Sequence, residues 1–215
     1  MCSTPDTLLD TDNTASQQVQ RDIELIERLC HADEKALKLL YHHYYKRLFR
    51  FISRVTQQEA IIDEIINDVM YVVWEKAATY NQQSKPSTWI FGIAYNKARQ
   101  GLRNNSYLDE ESLELIEAEN PIFGQEDLGL QQLEMDNWLE SAFVKLSPDQ
   151  RAVIELTYFQ GLHYSEIAEL MACPENTVKT RMHHARKKLA SLLNNAEYTT
   201  AHQPQGVTPT PRRPS

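Results

Sequence analysis

The apolar residues of this 215-residue chain recur at steps of three and four, and no segment alternates apolar with polar residues as a half-buried strand would. In "DEKALKLLYHHYYKRLFRFISRV" the positions Leu37, Leu40, Tyr41, Tyr44, Leu48, Phe51, Ile52 and Val55 fall on one helical stripe. Asp33 stands just before it, where a capping side chain belongs. "EAIIDEIINDVMYVVWEKAATY" is more apolar, with Ile62, Ile65, Ile66, Val69 and Val73 on one side and Asp63, Glu64, Asn67, Asp68, Tyr71 and Glu75 on the other. In "SKPSTWIFGIAYNKARQGLRN" the inward set is Trp89, Ile90, Ile93, Ala94 and Ala98. The charged residues from 85 to 104 are Lys85, Lys97, Arg99 and Arg103, with no acid. One helix thus offers an acidic face and the next a basic, aromatic-rich one.

A second helical block begins near Leu133, where Met135, Leu139, Ala142, Phe143 and Leu146 form a stripe. "SPDQ" at 147–150 is a helix start: Ser147 caps, Pro148 suits the first turn, and Gln150 completes a capping box. That helix is expected to stop at Gly161. "YSEIAELM", the tight turn "ACP" and "ENTVKTRMHHARKKL" then read as helix, turn, helix. The last helix buries Val178, Met182, Ala185 and Leu189. Asn176, Lys179, Thr180, His183, His184 and Lys187 are left facing outward.

That basic helix sits in a chain of formal net charge -8. A charge run of this kind is commonly a solvated face. The helix and tight turn before it favour a nucleic-acid reader instead, with N-terminal residues at base edges and basic residues on phosphates. The acids concentrate elsewhere: eleven of them, and no Lys or Arg, lie between Asn105 and Ala142.

The expected fold is all-α: two small helical domains joined by an acidic flexible linker. The expected divisions are a disordered extension over 1–17, a first domain over 18–104, a linker over 105–130, a second domain over 131–194 and a disordered tail over 195–215. No run reaches the roughly 18 apolar residues of a membrane span, and "MCSTPDTLLDTDNTASQQ" lacks the charge and apolar core of a signal peptide. Membrane insertion is not expected. Cys2, Cys30 and Cys173 are widely spaced, which fits a reducing cytoplasm better than a disulfide framework. Cys173 reads as a packing residue. No metal or cofactor is expected, because there is no CxxC pair, no phosphate loop and no nucleophile motif. The histidine pairs 42–43 and 183–184 are adjacent, and adjacent helical residues diverge too far to share a ligand. An enzyme is not expected.

"LSPDQRAVIELTYFQGLHYSEIAELMACPENTVKTRMHHARKKL" resembles region four of bacterial sigma factors, and "DEIINDVMYVVWEKAATY" with "STWIFGIAYNKARQGLRN" resembles their region two. The two blocks stand in the family's order, over about residues 20–104 and 131–193, with no block like region three between them. That resembles the extracytoplasmic-function class of the sigma-70 family.

The resemblance implies a protein that lends promoter specificity to core RNA polymerase and helps open the duplex. It implies that Asp63, Glu64, Asn67, Asp68 and Tyr71 dock on the β′ clamp helices, and that the second domain meets the β flap. It implies that the loop before the basic helix, and that helix, read and open the minus-10 element. Their residues are Tyr80, Asn81, Gln82, Gln83, Lys85, Trp89, Asn96, Lys97, Arg99, Gln100 and Arg103, with Tyr95 on the same surface. Gly92 and Tyr95 stand where the family often has Arg. Trp89, flanked by Ile90 and Ile93, also reads as a core residue. The minus-35 readers implied are Asn176, Lys179, Thr180, His183, His184 and Lys187. An anti-sigma factor is the further partner that the class implies, and the acidic linker would thread a basic nucleic-acid channel. The competing readings are a helix-turn-helix regulator that binds promoters without being a polymerase subunit, and a helical adaptor whose acidic face binds a protein.

Overall fold

The computed structural model describes residues 9–109 and 142–201. Four helices form the first group: α1 (Leu9–Leu29), α2 (Glu34–Thr56), α3 (Ile62–Lys76) and α4 (Pro86–Asp109). Three form the second: α5 (Pro148–Ile154), α6 (Tyr164–Leu170) and α7 (Glu175–Ala201). No strand occurs among the described residues. Short 3-10 turns at Glu59–Ile61 and Ala77–Thr79 lead into and out of α3.

The apolar stripes meet in a shared core. Leu40, Tyr44, Leu48, Phe51, Ile52 and Val55 of α2 pack with Ile62, Ile66, Val69 and Val73 of α3 and Ile90, Ala94 and Ala98 of α4. Leu37, Tyr41, Trp89 and Ile93 sit at its edge, half-buried. Each fully buried aliphatic or Phe side chain contributes about 1.5–3 kcal/mol, enough to override the modest helix propensity of the many Ile and Val residues. Asp33 caps α2 by accepting from the Lys35 and Ala36 N–H groups. Ser147 and Gln150 close a full capping box at α5. After α5 the chain widens into one π turn, Glu155–Phe159, with the Gln160 N–H reaching the Glu155 carbonyl. It ends at Gly161, whose φ of +66° favours glycine.

Three expectations are corrected. Residues 9–17, read as part of a disordered extension, belong to α1. Ile26 and Leu29 are buried against α2, and once that turn exists each added residue gains a backbone bond at little cost. The same economy carries α4 to Asp109, past the expected boundary at 104, and α7 to Ala201, past 194. Tyr95, expected on the outer surface, is 1% exposed and its hydroxyl donates to Asp149 of α5 at 2.7 Å. Residues 110–141, most of the acidic linker, lie outside the described residues.

One polar core contact was not visible in the sequence. Asp22 of α1 is 3% exposed. It accepts from the Tyr44 hydroxyl at 2.6 Å and from Gln18 Nε2 at 2.9 Å. Burial and the neighbouring Asp22 hold the Tyr44 phenol far above its ordinary value, so it stays a donor. Removing one partner leaves a buried carboxylate short of a bond, which costs more than the bond's net contribution. Tyr44→Phe should therefore destabilise the protein by about 2 kcal/mol, read as a lower urea midpoint with an unchanged slope.

Candidate nucleic-acid interface

The acidic face of α3 is on the outside. Asp63, Glu64, Asn67, Asp68 and Tyr71 are all exposed, Tyr71 at 64%. The buried Ile62–Ile66–Val69 stripe turns them there, as the helical period requires. Three are oriented by neighbours: Asp63 accepts from the Tyr45 hydroxyl at 2.9 Å, Asn67 from Tyr41 at 3.4 Å, and Asp68 from Lys97 Nζ at 2.8 Å. Lys97 thus ties the acidic helix to the basic one.

The loop between α3 and α4 is held in shape. The Tyr80 ring packs on Trp89 with centroids 5.1 Å apart, and its hydroxyl donates to the Ser84 carbonyl at 2.6 Å. Both rings are half-buried, so Trp89 is a core-edge residue as well as a surface one. Asn81 accepts from the Gln83 N–H at 3.1 Å, a local turn, and Gln82 occupies the left-handed region at φ +59°. Asn81, Gln82 and Gln83 remain exposed, with Gln82 Nε2 3.3 Å from Glu27.

Asn96, Arg99, Gln100 and Arg103 are exposed along α4. With Lys97, Ile93, Val72 and Lys76 they line an open groove of about 320 Å³ between α3 and α4. Four cations and two amides around one groove suit phosphate and base edges. Two exposed cations of this surface also reach the second group. Lys85 Nζ lies 3.4 Å from Glu166, and Arg99 Nε 4.0 Å from Asp149.

The helix-turn-helix is formed by α6 and α7 as expected. Ile167, Ala168, Leu170, Val178, Met182 and Ala185 are buried between them, and Leu189 partly so. Asn176, Lys179, Thr180, His183, His184 and Lys187 are exposed. Thr180 Oγ1 donates to the Asn176 carbonyl at 2.8 Å. Its proton is thereby committed, leaving a lone pair and a methyl to face a ligand. Lys179 pairs with Glu175 at 2.8 Å, a one-turn pair of small energetic weight. The basic residues of this helix divide. Arg181 turns inward to Asp149 at 2.5 Å and to Cys173 Sγ at 3.6 Å, so Cys173 packs under a cation. Arg186 donates to the Tyr158 hydroxyl at 2.6 Å. The sequence placed both in one basic cluster without separating these tasks.

Residues 40–107 match the family "Sigma-70 region 2" and residues 136–189 match "Sigma-70, region 4", together more than half the chain. The chain belongs to the sigma-70 family. Among curated relatives, it is 29% identical over 166 residues to the ECF RNA polymerase sigma factor RpoE of Cereibacter sphaeroides, covering 76% of this chain and 90% of that protein. It is 29% identical over 181 residues to the ECF RNA polymerase sigma-E factor of Escherichia coli K12, covering 78% and 92%. These relatives give its class, the extracytoplasmic-function sigma factors. Among solved structures, the sigma factor RpoE in complex with the anti-sigma factor NepR from Bartonella quintana superposes with a TM-score of 0.64 at 22% identity, covering 74% and 98%. CnrH in complex with the cytosolic domain of CnrY gives 0.59 at 21%, covering 81% and 98%. Both support the helical fold. Sigma factors are not enzymes; they direct transcription initiation with RNA polymerase.

Proposed function

We propose that this sigma factor divides promoter initiation among three of its surfaces. The observation that carries the reading is that both sigma regions occur in order and both keep the outward residues a reader needs. The exposed α3 face, Asp63, Glu64, Asn67, Asp68 and Tyr71, docks on the clamp helices of the polymerase β′ subunit. A face of this charge suits a basic partner and speeds its capture. The loop Tyr80–Lys85 and the outer side of α4, with Trp89, Asn96, Lys97, Arg99, Gln100 and Arg103, receive the minus-10 element as it opens. Unpaired bases stack on aromatics, and cations follow the backbone. On α7, Asn176, Thr180 and His183 meet minus-35 base edges, Lys179 and His184 meet base or phosphate, and Lys187 meets backbone phosphate. The second group also meets the β flap. On this reading the working units are a region-two domain over 18–104, a linker over 105–130 and a region-four domain over 131–194. α1 and the ends of α4 and α7 extend beyond those limits.

Two of the solved relatives are complexes with anti-sigma factors or a cytosolic partner domain. The same kind of partner is proposed here, covering the polymerase and DNA surfaces. The site of action is the cytoplasm, where core polymerase and promoter DNA reside. No helix among the described residues is long and apolar enough to cross a membrane. A regulator acting without polymerase would bind promoters alone. The decisive experiment is transcription from a promoter library by core polymerase with and without this protein, where transcripts that need the protein support the reading.

Two further outcomes are expected. Asp63→Lys with Glu64→Lys should abolish capture of core polymerase while helical circular dichroism stays unchanged; undiminished capture removes the docking role. Lys187→Ala should weaken holoenzyme binding about equally on all promoters and lower the salt slope by roughly one unit. Thr180→Ala or His183→Ala should instead relax one or two minus-35 positions, at about 1–3 kcal/mol per lost base contact. A minus-35 mutant panel at two salt concentrations separates these cases.

A further inference from the structure

The edge of α2 beside α3 carries three aromatic side chains one turn apart: Tyr41, Tyr45 and Phe49. A spacing of four lines side chains along one face of a helix. The Tyr41 and Tyr45 rings lie 5.5 Å apart, inclined by 27°, and those of Tyr45 and Phe49 lie 6.0 Å apart, inclined by 38°. All three are half-buried at the rim of the core. The middle ring therefore has a neighbour on each side. A phenol turns about only two side-chain bonds, so a ring held in this way places its hydroxyl closely. The Tyr45 hydroxyl donates at 2.9 Å to Oδ1 of Asp63, in the first turn of α3. Tyr41 makes a longer bond of the same kind, 3.4 Å to Asn67 Oδ1, one turn further along α3.

The Tyr45 bond does little for the fold. It is exposed, and α2 and α3 are already joined by a buried apolar core that includes Leu48, Ile52, Ile66 and Val69. A hydrogen bond that water can replace contributes little net stability. What it does set is the direction of the Asp63 carboxylate. An ionised carboxylate has about four acceptor sites; the phenol takes one, and Oδ2 is left for a partner. The bond to Asp63 holds the Tyr45 phenol above its ordinary value, so it stays a donor at neutral pH. On the other flank of the same face, Lys97 Nζ holds Asp68 at 2.8 Å.

We propose that Tyr45 is a positioning residue for polymerase docking: its hydroxyl, set by the Tyr41–Tyr45–Phe49 stack, holds the Asp63 carboxylate in the orientation that the polymerase meets. The proposal rests on the docking role given above to the α3 face. Ordering a side chain at an interface costs affinity, and a side chain ordered beforehand avoids that cost. With the hydroxyl in place, Asp63 meets a cation already aimed; without it, the carboxylate is ordered only at capture. Removing the hydroxyl leaves the charge of the face unchanged, and charge is what steers encounter. The loss therefore shows in the release rate, as most interface effects do.

The test uses the full chain and core RNA polymerase, with Tyr45→Phe, Asp63→Ala and the double variant. Tyr45→Phe keeps the ring and its stack and removes only the hydroxyl. Its dissociation constant for core polymerase should rise about threefold or more. The rise should come from faster release, with the association rate and its salt dependence as in the unaltered protein. Asp63→Ala should weaken capture further, and adding Tyr45→Phe to it should cost nothing more. A role in folding alone would weaken both backgrounds equally, so a Tyr45→Phe loss that persists undiminished beside Asp63→Ala overturns the proposal. If Asp63→Ala itself captures core polymerase fully, the docking role of Asp63 fails and the proposal fails with it. An impaired Asp63→Ala beside a Tyr45→Phe that is released no faster than the unaltered protein overturns the positioning role alone.

Discussion

Glu155 is fully buried, and burial raises its carboxyl above the usual range while Arg54 and Arg50 draw it back down. One oxygen meets Arg54 of α2, and the other, Oε1, has no hydrogen-bond partner among the described residues. A carboxylate in that position is costly unless a cation shares the site. The cation comes from the other helical group, so the second group satisfies its own buried charge only when docked. Asp149 is partly exposed and pairs with Arg181 of its own group, and it adds Tyr95 and Arg99 of α4. Both acids contact the first group, beside the apolar core that the two groups share. The aromatic contacts of Phe143 and Phe159 with Arg54 fill the space around them.

That seam accounts for a departure on α4. The family resemblance leads one to expect Arg at 92 and 95, where this chain has Gly92 and Tyr95. Gly92 faces Leu170 of α6, with room for a Cβ in ordinary contact at 3.6 Å. Tyr95 is buried, and burial with the Asp149 contact holds its phenol well above the ordinary value, so it remains a donor. An arginine at either position would carry a third charge into a seam already holding Arg99 and Arg181. The same substitutions that subtract phosphate contacts from α4 therefore add an internal contact.

The helices of the core were legible because burial there is apolar and periodic. Asp33, Ser147 and Gly161 were legible as stops and starts because their chemistry is local. The outward sets on α3 and α7 followed once the stripes were placed. What could not be read depends on partners distant in sequence. Asp22 looked like one polar residue among many until Tyr44 was seen to reach it. Arg47, Arg54, Lys85 and Glu166 look like solvated charges in sequence, and pairs separated by 78 to 113 residues leave no period. Tyr95 was misplaced for the same reason, since its burial is caused by α5 and not by its own helix.

The seam joins apolar contact to ion pairs, since buried apolar residues of both groups belong to one core cluster. Pairs near the surface, such as Lys85 with Glu166, contribute little each because water screens them. Opening exposes charges that water solvates readily, whereas separating an apolar interface of equal area exposes surface that water rejects. The seam of this protein holds both kinds of surface. It also covers unevenly. The acidic face of α3 and the outer residues of α7 remain exposed, and on the α4 edge Lys85 and Arg99 stay about half exposed beside Glu166 and Asp149.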